Sequence, residues 1–462
     1  MRTLVKTARK ALFLGALALS VASLTAGDAA AQAKKPAPVA AAKALAAKAP
    51  APFAKKGAKD DAAKVLAIVG AQVYTGEGEP LEDAVILVEN GKIKAIGKGL
   101  TVPAGAETVQ AKGMVVTPGL VESLSELGLR DVDLEPTAND TADDSKNRVR
   151  AAVRAADAYN PQSVVIPVTR AAGITSVGVV PGGGVISGQS AWADLSFDTA
   201  TEALASTSLA LHVSLGARSD PQGGSRGASV RIVREAFDDA RTYQKNKAAW
   251  ERNQSRPFAA SRLDLEALTQ SLGGKKGSPK VPVVFHVDRA SSILTALSVA
   301  KEFDLTPVIA GGAEAWKVRT TLAKNKVPVI VNPLLAGPES FDQLGARDDN
   351  AALLQKAGVQ VAITSGETQN ARKLRQAAGN AVRAGMDHTA AIAAITRVPA
   401  EALGMADKYG TLAPGKIANL VVWSGDPLEI GTNVVSVYIR GEKQSLVTRQ
   451  TQLFKKYRGA PR

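Results

Sequence analysis

Four stretches in the middle of the chain repeat one pattern: an apolar run of strand length, a polar turn, then a helix-compatible segment. They are SVVIPVTRAAGITSVGVVP, VPVVFHVDRASSILTALSVAKEF, TPVIAGGAEAWKVRTTLAKNKVPVIVNP and GVQVAITSGETQNARKLRQAAGNAVRAG. Such βα units predict a parallel sheet covered by helices, because a parallel connection needs a crossover long enough to hold one. Their span of roughly 280 residues predicts a closed (β/α)8 TIM-like barrel rather than an open doubly wound sheet. The Gly-rich run PGGGVISG, Pro181 to Gly188, lacks the GK[ST] of a phosphate loop and reads as a turn at the barrel top. GGSRGASVRIVREAFDDARTYQKNKAAWERNQ, 223 to 254, reads as a solvated helix lying over the barrel.

The flanks have a different texture. VLAIVGAQVYTG, DAVILVENGKIKAIG and AETVQAKGMVVTPG are short strands, with Asn90-Gly91 as a two-residue hairpin turn. YGTLAPGKIANLVVWSGDP and VVSVYIRGEK repeat that character near the other end. The ends therefore meet in one small β-sandwich domain, 65–117 plus 406–445, beside a barrel at 118–405, with a tail at 446–462.

Ahead of these lies an N-terminal run with Arg2, Lys6, Arg9 and Lys10, then ALFLGALALSVASL and the small-residue stretch AGDAAAQA. This is the layout of a secretory signal peptide over residues 1–33, and it predicts a periplasmic or secreted protein. The apolar run is shorter than the roughly 20 residues a bilayer span needs, so no membrane span is expected. Residues 34–64, almost wholly Ala, Lys and Pro, read as a flexible linker.

The formal net charge of +14 raises the question of nucleic acid. Residues 1–64 hold 12 Lys and Arg against 3 Asp and Glu, and the rest of the chain holds 45 against 40. The excess sits in the leader and linker, and the later cations form no run interleaved with aromatics, so a nucleic-acid partner is not expected. The chain has no cysteine, which excludes disulfides and thiolate metal sites, and only His212, His286 and His388 supply imidazole.

ENGKIKAIG followed by AKGMVVTPGLVES, the block VIAGGAEAWKV, and the exit GTLAPGKIANLVVWSGDPLE together resemble the amidohydrolase superfamily, specifically its imidazolonepropionase-like secreted branch. The resemblance runs from Val65 to just beyond Trp423. It implies a barrel with a β-sandwich beside it, a small-molecule substrate or ligand, a homodimer, and hydrolysis of amide-like C–N bonds by a metal-bound water.

The resemblance also implies where ligands should stand. Two histidines at i and i+2 of the first barrel strand share one face, and those positions hold Leu124 and Glu126, after Glu122. SLALHVSLG offers His212 where a bridging lysine is usual, and VVFHVDRA offers His286 where the family has a histidine. Gly311 and Gly312 occupy the position of the next histidine, with Glu314 just beyond as a support for its strand. Gly366 or Glu367 replaces an aspartate. What remains is His286 with Glu126 and Glu367, a set able to hold one divalent ion (Zn, Mn or Fe) or to act without metal, a carboxylate activating water and His286 serving as the acid.

Each residue has a structural alternative. His286 reads equally as a hydrogen-bonded core histidine, Glu126 as a rim carboxylate paired with an arginine such as Arg289, and Glu367 as a helix N-terminal charge. His212 and His388 read as structural. Two functions follow: a hydrolase of cyclic, linear or dipeptide-like amides with an altered metal site, or an inactive barrel that binds a ligand or partner.

Overall fold

The computed structural model describes residues 65–132, 134–141, 147–216, 224–252, 254, 256–273, 279–335 and 337–458. The expected signal peptide and linker lie outside them. No described helix is long and apolar enough to cross a membrane.

The chain begins with β1 (Val65–Val73), β2 (Leu81–Glu89), β3 (Lys92–Lys98), β4 (Glu107–Gln110) and β5 (Val115–Pro118). Asn90 and Gly91 both have positive φ, 51° and 75°, the geometry of a type I′ turn that twists with its strands. The barrel strands follow: β6 (Leu120–Ser125), β7 (Ile174–Val179), β8 (Ile186–Gln189), β9 (Ala191–Asp194), the short β10 (Leu204–Ser206), β11 (Leu211–Ser214), β12 (Val283–Val287), β13 (Pro307–Gly311), β14 (Val329–Val331) and β15 (Val361–Ile363). The chain returns with β16 (Leu420–Trp423), β17 (Val434–Ile439) and β18 (Glu442–Lys443).

β16 pairs antiparallel with β5, so the N- and C-terminal strands form one eight-stranded sheet in the order β18-β17-β16-β5-β1-β2-β3, with β4 beside β1. Its ends approach each other, since Lys92 at the start of β3 bridges Ile417 just before β16. The sandwich is thus one continuous ladder folded over its own core of Leu66, Ile68, Ile86, Ile93, Leu420 and Tyr438.

The barrel departs from a regular (β/α)8 in one place. β6 and β7 are parallel, as are β11 through β15, but the third stave is the nearly continuous strand formed by β8 and β9, and it runs the other way. β9 pairs antiparallel with β7, and β8 pairs antiparallel with β11. The PGGG turn that links β7 to β8 has positive φ at Gly183 and Gly184, and it makes a hairpin where a crossover helix was expected.

Side chains alternate across the wall. Val283, Phe285 and Val287 face the outer helices, whereas Val284, Val308, Ala310, Ile330 and Ala362 join Trp192 and the plug Val398 to Tyr409 in a second apolar cluster. The helix Arg226–Lys245 is not a solvated cover. Its Val230, Val233, Phe237, Ala240 and Tyr243 are buried in the main core, so only its other face meets water.

Candidate functional site at the barrel mouth

Glu122, on β6, is fully buried at the seam where β15 comes round to β6. It accepts hydrogen bonds from Ser365 N at 2.9 Å, Ser365 Oγ at 2.5 Å and the Thr364 hydroxyl. Burial pushes its carboxyl up to about 7, against the pull of these donors. Glu122 is therefore a clasp across the closing seam.

Leu124 packs against the inner apolar cluster. Glu126 pairs with Arg130, four residues on, and not with Arg289. A four-residue spacing keeps that pair on a single turn of chain, whereas Arg289 stands beyond the end of β12.

His212 and His286 stand on the adjacent strands β11 and β12, two residues apart in register, since His212 pairs with Val284 and Ser214 with His286. His212 Nδ1 and His286 Nε2 are 2.9 Å apart. Burial holds the His286 imidazole down at about 4, and burial together with His286 holds His212 well below its ordinary value, so both are neutral near pH 7. His212 Nε2 is buried without a hydrogen-bond partner among the described residues.

Glu367 lies 3.3 Å from Lys373 Nζ, and its carbonyl accepts from Ser125 Oγ at 3.0 Å. Glu314 accepts from Ala290 N and Gly345 N, both at 3.0 Å, and from Lys317 Nζ at 2.7 Å. Burial raises its carboxyl, but these donors outweigh that and leave it below the ordinary range. It caps the helix Ala290–Phe303 and braces the loop at Gly345. His388, at the start of the helix His388–Ala394, bonds Asp426 at 2.7 Å and lies with its ring 5.9 Å from that of Tyr74.

The metal that the resemblance implies requires ligands that converge, and these residues do not fit one. The two imidazoles bond each other, Glu126 and Glu367 are each engaged by a cation, and Leu124 offers no lone pair. No group of three or more His, Asp or Glu arranged to hold a metal ion occurs among the described residues.

An opening at the barrel mouth lies elsewhere. A cleft of about 210 Å³ sits over the C-terminal ends of β12, β13 and β14, lined by Asp288, Gly311, Asn332, Gln343, Arg347 and Asn350 among others. Neither His212 nor His286 is among its lining residues. Asp288 directly follows β12, and its carboxylate accepts from Ala313 N at 3.2 Å and Gln343 Nε2 at 3.0 Å. Burial raises its carboxyl, aided by Asp342 and Glu314. Gly311 has φ 89°, and a Cβ there would lie 2.6 Å from Asp288 Oδ1, so only glycine leaves the cleft open. Arg347 stacks on Trp316 at 4.8 Å while held by Asp349. Asn332 donates to Ser365 O at 2.8 Å and so ties the cleft to the Glu122 clasp.

The sequence reading missed Asp288, Asn332, Gln343 and Arg347. Asp288 was legible in VVFHVDRA as the first polar residue past a predicted strand end, the usual place for function in such a barrel. The others come from a loop whose path no periodicity marks.

Comparison with known proteins bears on this geometry. Residues 342–445 match the amidohydrolase family model. The amidohydrolase tasK of Hapsidospora irregularis is 23% identical over 436 residues, covering 83% of this chain and 44% of that one, so the chain spans less than half of that relative's length. A dihydroorotase of Geobacter sulfurreducens is 58% identical over 50 residues, 11% of each chain. Among solved structures, an amidohydrolase from Thermotoga maritima MSB8 superposes with a TM-score of 0.74 at 29% identity, over 82% of this chain and 99% of that one.

Proposed function

We propose that the chain is an exported, amidohydrolase-like barrel, a reading supported by its match to the amidohydrolase family model over residues 342–445, and that it binds a small molecule at its mouth, in the cleft beside Asp288. One observation carries the reading: the side chains at the expected metal positions are engaged with one another or with cations, while the cleft over β12 to β14 stays open, with Asp288, Asn332, Gln343 and Arg347 set among a largely apolar lining. The Asp288 carboxylate is an acceptor for a ligand's donor groups, and Asn332 and Gln343 line the cleft beside it. The layout of residues 1–33 supports export to the periplasm or beyond.

The experiment is a thermal-shift screen of the full chain against small amides, amino acids and dipeptides, with Asp288→Asn and Asn332→Ala as controls. A compound that raises the melting temperature of the wild type and of neither variant supports the reading. A compound that stabilises all three equally rules out this cleft.

A second reading, hydrolysis of a C–N bond with Glu126, His286 and Glu367 around one divalent ion, is favoured by His286 standing on a barrel strand at the position where the family places a histidine. Metal analysis of protein purified without chelator or nickel resin decides between them. About one equivalent of Zn, Mn or Fe, lost in both Glu126→Ala and His286→Ala, would replace the binding reading with the hydrolytic one.

A further inference from the structure

The last described helix, Arg449–Tyr457, packs on nothing in the described chain: all nine of its residues are exposed. A helix this short is marginal in water by itself, and here only its start is secured, by reciprocal hydrogen bonds between Thr448 and Thr451 at 2.9 and 3.2 Å. At about 100° per residue, Leu453, Phe454 and Tyr457 fall within a single arc of about 100°. They are 43%, 62% and 58% exposed. Arg449 and Lys456 flank that arc on one side and Arg458 on the other. From Lys443 to Arg458 the sequence holds five cations and no carboxylate.

The charge decides what such a face fits. A second copy of the helix would bring like charges together, and residues 1–64, with their own basic excess, would be repelled as well. An apolar and aromatic arc edged by Lys and Arg is complementary to a surface that is apolar beneath and anionic on top. The guanidinium of Arg458 lies over the Phe454 ring at 5.6 Å and the ammonium of Lys456 over the Tyr457 ring at 5.1 Å, so each cation sits beside the ring that would enter first.

We propose that the helix Arg449–Tyr457 is an interfacial anchor that lays Leu453, Phe454 and Tyr457 into the surface of a bilayer of anionic phospholipid. It peripherally attaches the folded chain and does not cross the membrane. This surface is separate from the barrel mouth and stands whether or not the cleft binds a ligand.

The test is flotation of the full chain with vesicles of phosphatidylglycerol and phosphatidylethanolamine, and with vesicles of phosphatidylcholine. The expected result is binding to the anionic vesicles at least tenfold above the neutral ones, weakened by salt. Phe454→Ser with Tyr457→Ser, and separately Lys455→Glu with Lys456→Glu, should each lower it at least tenfold. Failure of the wild type to float, or equal binding to neutral vesicles, overturns the proposal. So does binding that survives in both double variants, which would assign it to the basic stretch before residue 65. A fall in molecular mass by light scattering in the variants, with flotation unchanged, would make the face a subunit contact instead.

Discussion

His212 Nδ1 and His286 Nε2 lie 2.9 Å apart across two neighbouring parallel strands, one nitrogen donating and the other accepting. Both imidazoles are depressed below 6.5, His286 to about 4, because charging them inside the wall is unfavourable. Between about 4 and 6.5 the unfolded chain therefore binds more protons than the folded one. The pair's contribution to stability is complete above 6.5 and is lost as the pH falls, by up to about 1.4 kcal/mol per pH unit per histidine. Urea unfolding of His212→Asn combined with His286→Gln should lack this slope.

Glu122 acts in the opposite sense. Its carboxyl titrates at about 7 when folded, against the ordinary 4.5 of a solvated glutamate, so the folded chain holds the extra proton between those values. Its contribution is full below 4.5 and lost as the pH rises through 7. Over the shared window the two effects oppose each other, and the wild-type curve should be flatter than that of Glu122→Gln, which should rise more steeply towards neutral pH. Glu122→Ala also orphans the Ser365 amide at the seam and should cost about 2 to 4 kcal/mol at pH 7, read as a shifted urea midpoint.

Asp194 should be the most sensitive single carboxylate for cohesion between the barrel and the β domain. It is fully buried and accepts from Ser176 at 2.8 Å, Tyr409 and Arg440 at 2.9 Å, and Asn419 at 3.0 Å. Removing it strands several donors, and Asp194→Ala should lose about 3 to 5 kcal/mol by calorimetry or urea unfolding. Asp194→Asn keeps most of the acceptor geometry and should lose less than half of that.

Gly311 tests the cleft. Gly311→Ala and Gly358→Ala each place an alanine at φ above 80°, but only the first meets Asp288; nothing lies within 4 Å of the second. Both should lose about 1 kcal/mol from backbone strain. Gly311→Ala alone should also abolish the thermal shift given by a cleft ligand.

Much of the architecture was legible because strand runs and turn residues carry local signals. Asn90-Gly91 marks its hairpin, and GKIANLVVW reads as a returning strand without knowledge of its partner. The reversed third stave was not legible, since ISGQSAWAD, Ile186 to Asp194, mixes polar and apolar residues with no signal of direction, which is decided by the neighbours it pairs with. The site was harder still. His286 is visible as a histidine on a barrel strand, but its bond to His212 depends on the register of two strands separated by three helices. Glu126 finds Arg130 by a spacing of four, which the sequence does contain; its reading as a rim carboxylate named Arg289 instead.

The reversed stave also bears on how the barrel assembles. Val179 and Ala191 pair across a local connection, 12 residues apart in the chain, whereas Glu122 and Ser365 at the seam are separated by 243. Closing a short loop loses far less chain entropy than closing a long one, so near neighbours meet early. In pulse-labelling hydrogen exchange the amides of Ser176 to Val179 and Ala191 to Asp194 should gain protection first and those around Ser365 last. A strand laid against the grain thus gives a parallel barrel, otherwise a slow topology, a local starting point for folding.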